Sequence, residues 1–252
     1  MQEGFRHGTN AAIIPRMSNS YRPEQPAWIG AAVDTDVRVR EFVRSVYAWM
    51  FGGLAITTAA ALWVLYSPAM QAVVLQNRVV FYGLLIAEFG LAMWVQVRIH
   101  HMQPSTAASA FLVYSLLNGL TLSVIFIIFT RAAIFQAFAS AAVMFAGMAI
   151  YGYVTKRSLT SMGSFLVMGA WGLFAGFLVN MFLKSSALDF MLSAIGVLVF
   201  LGLTAYYNQQ LKTMATSAEH REHYSILGAL VLYIAFINLF LMLLRLFGGN
   251  RR

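Results

Sequence analysis

Val79–Val97 reads VVFYGLLIAEFGLAMWVQV, an unbroken apolar run with one carboxylate, Glu88, near its middle. About twenty such residues in helical form cross the ~30 Å hydrocarbon core of a bilayer. Six further runs of similar length lie at Val43–Tyr66, Ala107–Phe129, Ile134–Val154, Phe165–Leu183, Phe190–Tyr207 and Ile226–Phe247. Isolated strands cannot satisfy their backbone groups in lipid, so each run reads as a helix. The expected fold class is all-α integral membrane, with seven transmembrane helices.

Composition agrees with that reading. Of 252 residues, 60% are hydrophobic and 10% are charged, well below the roughly 25% charged of a soluble domain. There is no cysteine, which excludes disulfides and thiolate metal sites. The net charge is +8, but the basic residues stand singly near the ends of apolar runs. That pattern suits anionic headgroups and topology, and the bilayer is the expected partner. Nucleic acid, which needs a clustered basic face, is not. Prolines 15, 23, 26, 68 and 104 all fall outside the spans, which argues against broken-helix transporter designs.

Residues 1–41 are polar and read as a disordered tail. No apolar core follows the start methionine, so the first span is expected to act as its own insertion signal. Residues 42–248 form the membrane domain, and 249–252 a short basic C-terminal tail. With the N-terminus cytoplasmic, the inner loops carry Arg98, Lys156, Arg157, Lys212 and Arg221, and the outer loops Arg78, Arg131 and Lys184. The tail adds Arg6, Arg16, Arg22, Arg38, Arg40 and Arg44 inside, while Arg245, Arg251 and Arg252 fall outside. Early charges usually dominate, so the expectation is N-in, C-out.

Polar residues within the spans are the functional candidates, because they are expensive in hydrocarbon. Glu88 reads either as a neutral acid bonded to a neighbouring helix or as a cation ligand. Asn208, Gln209 and Gln210 close the sixth span and offer oxygen to a hard cation; they are also ordinary helix-end residues. Asn238, with Arg245 on nearly the same face, reads as interhelical glue or as a pathway residue. Asn118 and Asn180 share that ambiguity and lean to packing. Arg98 lies about 80° off the Glu88 meridian and about 15 Å along the helix, so it reads as a headgroup anchor. Gly169, Gly172, Gly176 and Asn180 fall on one face of the fifth span, expected to pack closely on another helix. His7, His100, His101, His220 and His223 lie outside the spans, and no metal site or cofactor is expected. No enzyme is expected either: no span holds a histidine to serve a serine, Asp189 is the one aspartate near a span, and phosphate loops are absent.

Tyr151–Lys212, beginning YGYVTKRSLTSMGSF and ending LTAYYNQQLK, closely resembles the bacterial branch of the Bax inhibitor-1 (transmembrane Bax-inhibitor-motif) family. Tyr47–Met50 in VYAWM, Asn118–Gly119 in YSLLNGLTLS and Phe236–Phe240 in AFINLF extend the resemblance over about residues 40–248. It implies six helices wrapped around a central C-terminal helix, in the cell inner (plasma) membrane. It also implies a passive calcium leak switched by protonation of two aspartates, one on each of the last two helices. Two close carboxylates share a proton because both cannot ionise cheaply.

The chain departs from that pattern at the switch. Tyr207 stands in place of the helix-six aspartate, Ala235 in place of the helix-seven acid, and Ser158 where bacterial members commonly carry another aspartate. An unperturbed tyrosine ionises near pH 10, so Tyr207 cannot replace a switch near neutrality. The family's arginine latch corresponds to Arg98, whose partner is gone, and Glu88 matches a membrane glutamate of family members. The resemblance therefore implies a calcium-permeable leak or ion-homeostasis protein without the di-aspartate switch, with Glu88, Asn208, Gln209 and Asn238 along the pathway. The alternative it carries is a non-conducting protein that binds a membrane-anchored ATP-dependent protease, as some bacterial relatives do.

Overall fold

The computed structural model describes residues 27–98, 101–217 and 221–248. Among them the chain forms nine α-helices and no strand: α1 Ala27–Tyr66, α2 Pro68–Val74, α3 Arg78–Arg98, α4 Pro104–Leu122, α5 Ile125–Ile128, α6 Arg131–Val154, α7 Thr160–Leu183, α8 Ser186–Ser217 and α9 Arg221–Gly248. Seven stretches are long and apolar enough to cross a membrane, with α4 and the short α5 counted as one. They coincide with the seven runs read from sequence. The boundaries follow local chemistry. Pro68 and Pro104 open helices, where their missing N–H costs nothing. Thr130 caps α6 by accepting from the Ala133 N–H at 3.3 Å. α7 ends on Lys184 in the left-handed region, φ 51°, and the Asn180 side chain accepts from the Ser185 N–H at 3.0 Å. Asn180 thus serves the helix end.

α9 is the innermost helix. In its most apolar stretch 78% of residues are buried, against 11–44% for the other six spans. It is also the most apolar span, with mean hydropathy 2.6, as a helix without a polar stripe must be to sit inside a bundle. The helices packed closely on it are α1, α4, α6 and α8. α3 leans on α4 and α7 on α8, forming an outer layer rather than part of a ring of six. These two outer helices meet through Phe89, stacked on Phe174 at 5.6 Å and edge-on to Trp171 at 6.2 Å.

Glycine allows the closest crossings. A Cβ at Gly119 of α4 would overlap the Thr57 carbonyl and Ala60 of α1, and one at Gly152 of α6 would overlap the Ala205 backbone of α8.

Two expectations are corrected. α1 begins at Ala27, so the boundary drawn after Glu41 falls inside a continuous helix; residues 1–26 lie outside the described residues. Extending a helix costs far less than nucleating one, and the polar residues upstream join a helix founded in the membrane. The glycine face of α7 is also redrawn. Leu166, Leu173 and Asn180 are buried, and their spacing of seven sets the inward meridian. Gly172, one residue and ~100° from Leu173, opens on empty space, whereas a Cβ on Gly176 would lie 2.7 Å from Leu192.

Candidate functional site

Glu88 projects from the middle of α3 toward α4, half-buried. Asn118 and Thr121, one turn apart on α4, present side chains to it together. The Asn118 amide donates to Glu88 Oε1, and the Thr121 hydroxyl donates to Oε2 at 2.9 Å. Behind them Tyr233 of α9 donates to Asn118 Oδ1 at 3.1 Å. Its hydroxyl also lies 2.5 Å from Thr57 Oγ1 of α1. A phenol has one proton, so with that proton on Asn118, Thr57 is the donor to Tyr233. The result is a relay from Thr57 through Tyr233 and Asn118 to Glu88, joining α1, α9, α4 and α3.

Packing holds the relay in register. The Tyr233 ring is fully buried between Phe111, 5.7 Å away, and Tyr114, 5.8 Å away, both edge-on. Gly119 lets α1 approach until Thr57 Oγ1 also lies 2.9 Å from the Ser115 carbonyl of α4, and the Gly53 carbonyl of its own helix is 2.9 Å away. Unpaired polar groups are costly here, and every polar side chain in this chain of contacts has a partner. Among the described residues the one buried side-chain polar atom without a hydrogen bond is Ser193 Oγ, outside the relay. Chemically the cluster is one carboxylate held by an amide N–H and a hydroxyl; turning the Asn118 amide over would add its oxygen to those of Glu88 and Thr121, a donor set a hard cation prefers.

The other residues singled out from sequence do not join it. Asn208 accepts from the Tyr47 hydroxyl at 2.7 Å and donates to the Thr204 carbonyl at 2.8 Å, tying α8 to α1. Gln209 accepts from the Leu159 N–H at 2.7 Å and donates to the Arg157 carbonyl at 2.7 Å, pinning the α6–α7 loop. Asn238 donates to Ile234 of its own helix at 2.8 Å. Among the described residues no hydrogen bond joins any two of Glu88, Asn208, Gln209 and Asn238.

Arg245 pairs with Asp189 at 2.9 Å, not with Asn238, and lies over the Phe177 ring at 4.5 Å. Tyr207 is half-buried beside Tyr206, with ring centres 5.4 Å apart, and Ala235 is buried. Arg98 is exposed in the last turn of α3, where a cation complements the helix dipole. Among the described residues no three His, Asp or Glu side chains converge. His7, His100 and His220 lie outside those residues.

Thr57, Thr121 and Tyr233 were not singled out from sequence. Thr121 had a signal, its i+3 spacing from Asn118 in the same apolar run. Thr57 and Tyr233 had none: a threonine and a tyrosine in a span are ordinary core residues until the fold brings them beside an asparagine.

A family model described as "Inhibitor of apoptosis-promoting Bax1" matches residues 39–252. The chain is 44% identical over 218 residues to the inner membrane protein YbhL of Escherichia coli, covering 84% of this chain and 93% of that protein. It is 39% identical over 215 residues to an uncharacterized protein of Borreliella burgdorferi, covering 84% and 93%. An uncharacterized protein of Rickettsia prowazekii is 40% identical over 222 residues, covering 86% and 92%.

Proposed function

The chain belongs to the Bax inhibitor-1 family, and we propose that within it this protein is a passive, calcium-permeable leak pathway with Glu88 as its principal polar waypoint. The observation that carries this reading is the placement of Glu88. Its carboxylate stands at mid-span, held by the Asn118 amide N–H and the Thr121 hydroxyl, with the Tyr233 hydroxyl behind them. A carboxylate at this depth is rare outside ion pathways and proton relays. Calcium is the cargo of the pathway, and the reading is non-enzymatic. The substitutions at Tyr207 and Ala235 leave the leak without the di-aspartate switch. The N-terminus is cytoplasmic, and the membrane is the inner one, as the name of the E. coli relative states for that protein.

The test is calcium uptake into liposomes carrying the purified protein or its Glu88→Gln variant. Gln keeps the size of the side chain and its place between Asn118 and Thr121 but removes the charge. We expect flux above that of protein-free liposomes, falling at least tenfold in Glu88→Gln. Equal flux in the two proteins would refute the role of Glu88.

One observation favours a second reading. α1 has 40 residues, about 60 Å at 1.5 Å per residue, twice the ~30 Å hydrocarbon core. Its upstream part is a helical arm suited to contact a membrane-anchored ATP-dependent protease. Conduction should survive deletion of residues 1–36 and depend on Glu88. A partner interaction should show the reverse.

A further inference from the structure

α1 and α6 both pack on α9 but not closely on each other. The cleft between them has a volume of about 1050 Å³. Its walls are apolar, with Phe51 and Leu54 of α1, Phe135, Ala142 and Ala146 of α6, and Ile237 of α9 on the floor. Along α6 it reaches from Arg131 to Tyr153, a helical rise of about 33 Å. That matches the ~30 Å depth of the hydrocarbon core. Phe51 and Phe135 on its rim are 63% and 74% exposed, so the mouth opens sideways, into the acyl region of the bilayer.

The cleft runs the depth of the hydrocarbon core and opens onto it, the shape an extended acyl chain fills. Charge completes the match. Arg131 lines one end of the cleft, is exposed, and forms no ion pair among the described residues, where the pair is Arg245–Asp189. At the opposite end Lys212 already lies over the Tyr153 ring at 4.3 Å. The unpartnered cation is therefore at the Arg131 end.

We propose that the α1–α6 cleft is a binding site for an anionic phospholipid, which lays an acyl chain along the α9 floor and sets its phosphate against Arg131. The site is independent of conduction through Glu88. It does adjoin the polar relay, because Thr57 lines the cleft and bonds Tyr233 behind it. A chain in the cleft covers the α1 end of the relay.

The test is native mass spectrometry of the purified protein, washed in lipid-free detergent and then offered phosphatidylglycerol or phosphatidylcholine with identical chains. One retained phospholipid per protein is expected, with phosphatidylglycerol preferred. Arg131→Gln should lower phosphatidylglycerol retention about fivefold, the loss of one cation beside an anionic lipid, without changing phosphatidylcholine. Arg78→Gln, an exposed arginine outside the cleft, should change neither and separates a built site from the general lipid annulus. Ala55 and Ala146 are exposed cleft residues on facing helices, so the double variant Ala55→Trp/Ala146→Trp should fold, as its melting temperature checks, and lose both lipids. Equal losses in Arg131→Gln and Arg78→Gln, or full retention in the double tryptophan variant, would overturn the proposal.

Discussion

Replacing Tyr233 by Phe deletes one oxygen and keeps the ring. The cost can be worked from what each neighbour has left. Thr57 loses the hydroxyl at 2.5 Å but still has the Ser115 and Gly53 carbonyls, each at 2.9 Å. Asn118 Oδ1 loses its donor at 3.1 Å and has no other among the described residues. The damage is a single orphaned acceptor. In a soluble core that costs about 1–3 kcal/mol; in membranes interhelical hydrogen bonds average about 0.6 and reach about 1.7, because the unfolded chain also finds partners. We expect a loss of about 1 kcal/mol. Thr57→Val should cost less, below about 0.5 kcal/mol, since Tyr233 still donates to Asn118 and no donor is stranded. The assay is reversible unfolding in mixed micelles with rising dodecyl sulfate, followed by tryptophan fluorescence. Combining Tyr233→Phe with Glu88→Gln should depart from additivity by about 0.5 kcal/mol or more, because the Asn118 amide touches both positions. Additive effects, or a Thr57→Val variant as unstable as Tyr233→Phe, would refute the relay.

Three further outcomes follow from the same geometry and topology. Gly119→Leu and Gly152→Leu should be the most damaging glycine changes, because both meet backbone; Gly176→Leu should cost about 1–3 kcal/mol against the mobile end of Leu192, and Gly172→Leu should be neutral in a detergent melting assay. Calcium flux should lack a steep response near neutral pH, and any remaining dependence should vanish in Glu88→Gln; Tyr207→Asp with Ala235→Asp should add a titration that neither single change gives, since a shared proton needs two groups. A periplasm-active phosphatase fused after Arg252 should be active, whereas one placed between α8 and α9 should be silent; the reverse would invert the topology.

The spans were legible because length and apolarity are local properties, and an apolar run of this length has few alternatives to a helix. What sequence missed was relational. The seven-residue spacing of Leu166, Leu173 and Asn180 marks the inward line of α7, but the glycines beside it drew attention to a meridian on its flank. Glu88 was conspicuous as a lone acid in a span. Its partners were not, because Thr57 and Tyr233 are 176 residues apart, and helical periodicity says nothing about which distant helix a face will meet. Likewise Asn208 and Gln209 advertise oxygen donors, yet the fold spends them on holding α8 to α1 and to the α6–α7 loop.

The relay also constrains how any ion could pass. Both Glu88 oxygens are engaged by α4, and the groups behind them are bonded in turn, so the arrangement is closed. An ion reaching Glu88 must take the places of Asn118 and Thr121. Two routes could make room. Moving α9 would disturb the most buried helix, packed closely on α1, α4, α6 and α8. Moving α3 disturbs far less: only 11% of its spanning stretch is buried, and it leans chiefly on α4. Displacing α3 by about a side chain's width would break both Glu88 bonds and leave the Thr57–Tyr233–Asn118 links intact. That motion is opposed by the packing of α3 on α4, by the two Glu88 hydrogen bonds and by the ring contacts of Phe89 with Phe174 and Trp171, the last each worth about 0.5–1.5 kcal/mol beyond its buried area. Of the two routes, parting α3 from α4 is the one that leaves the α9 core standing.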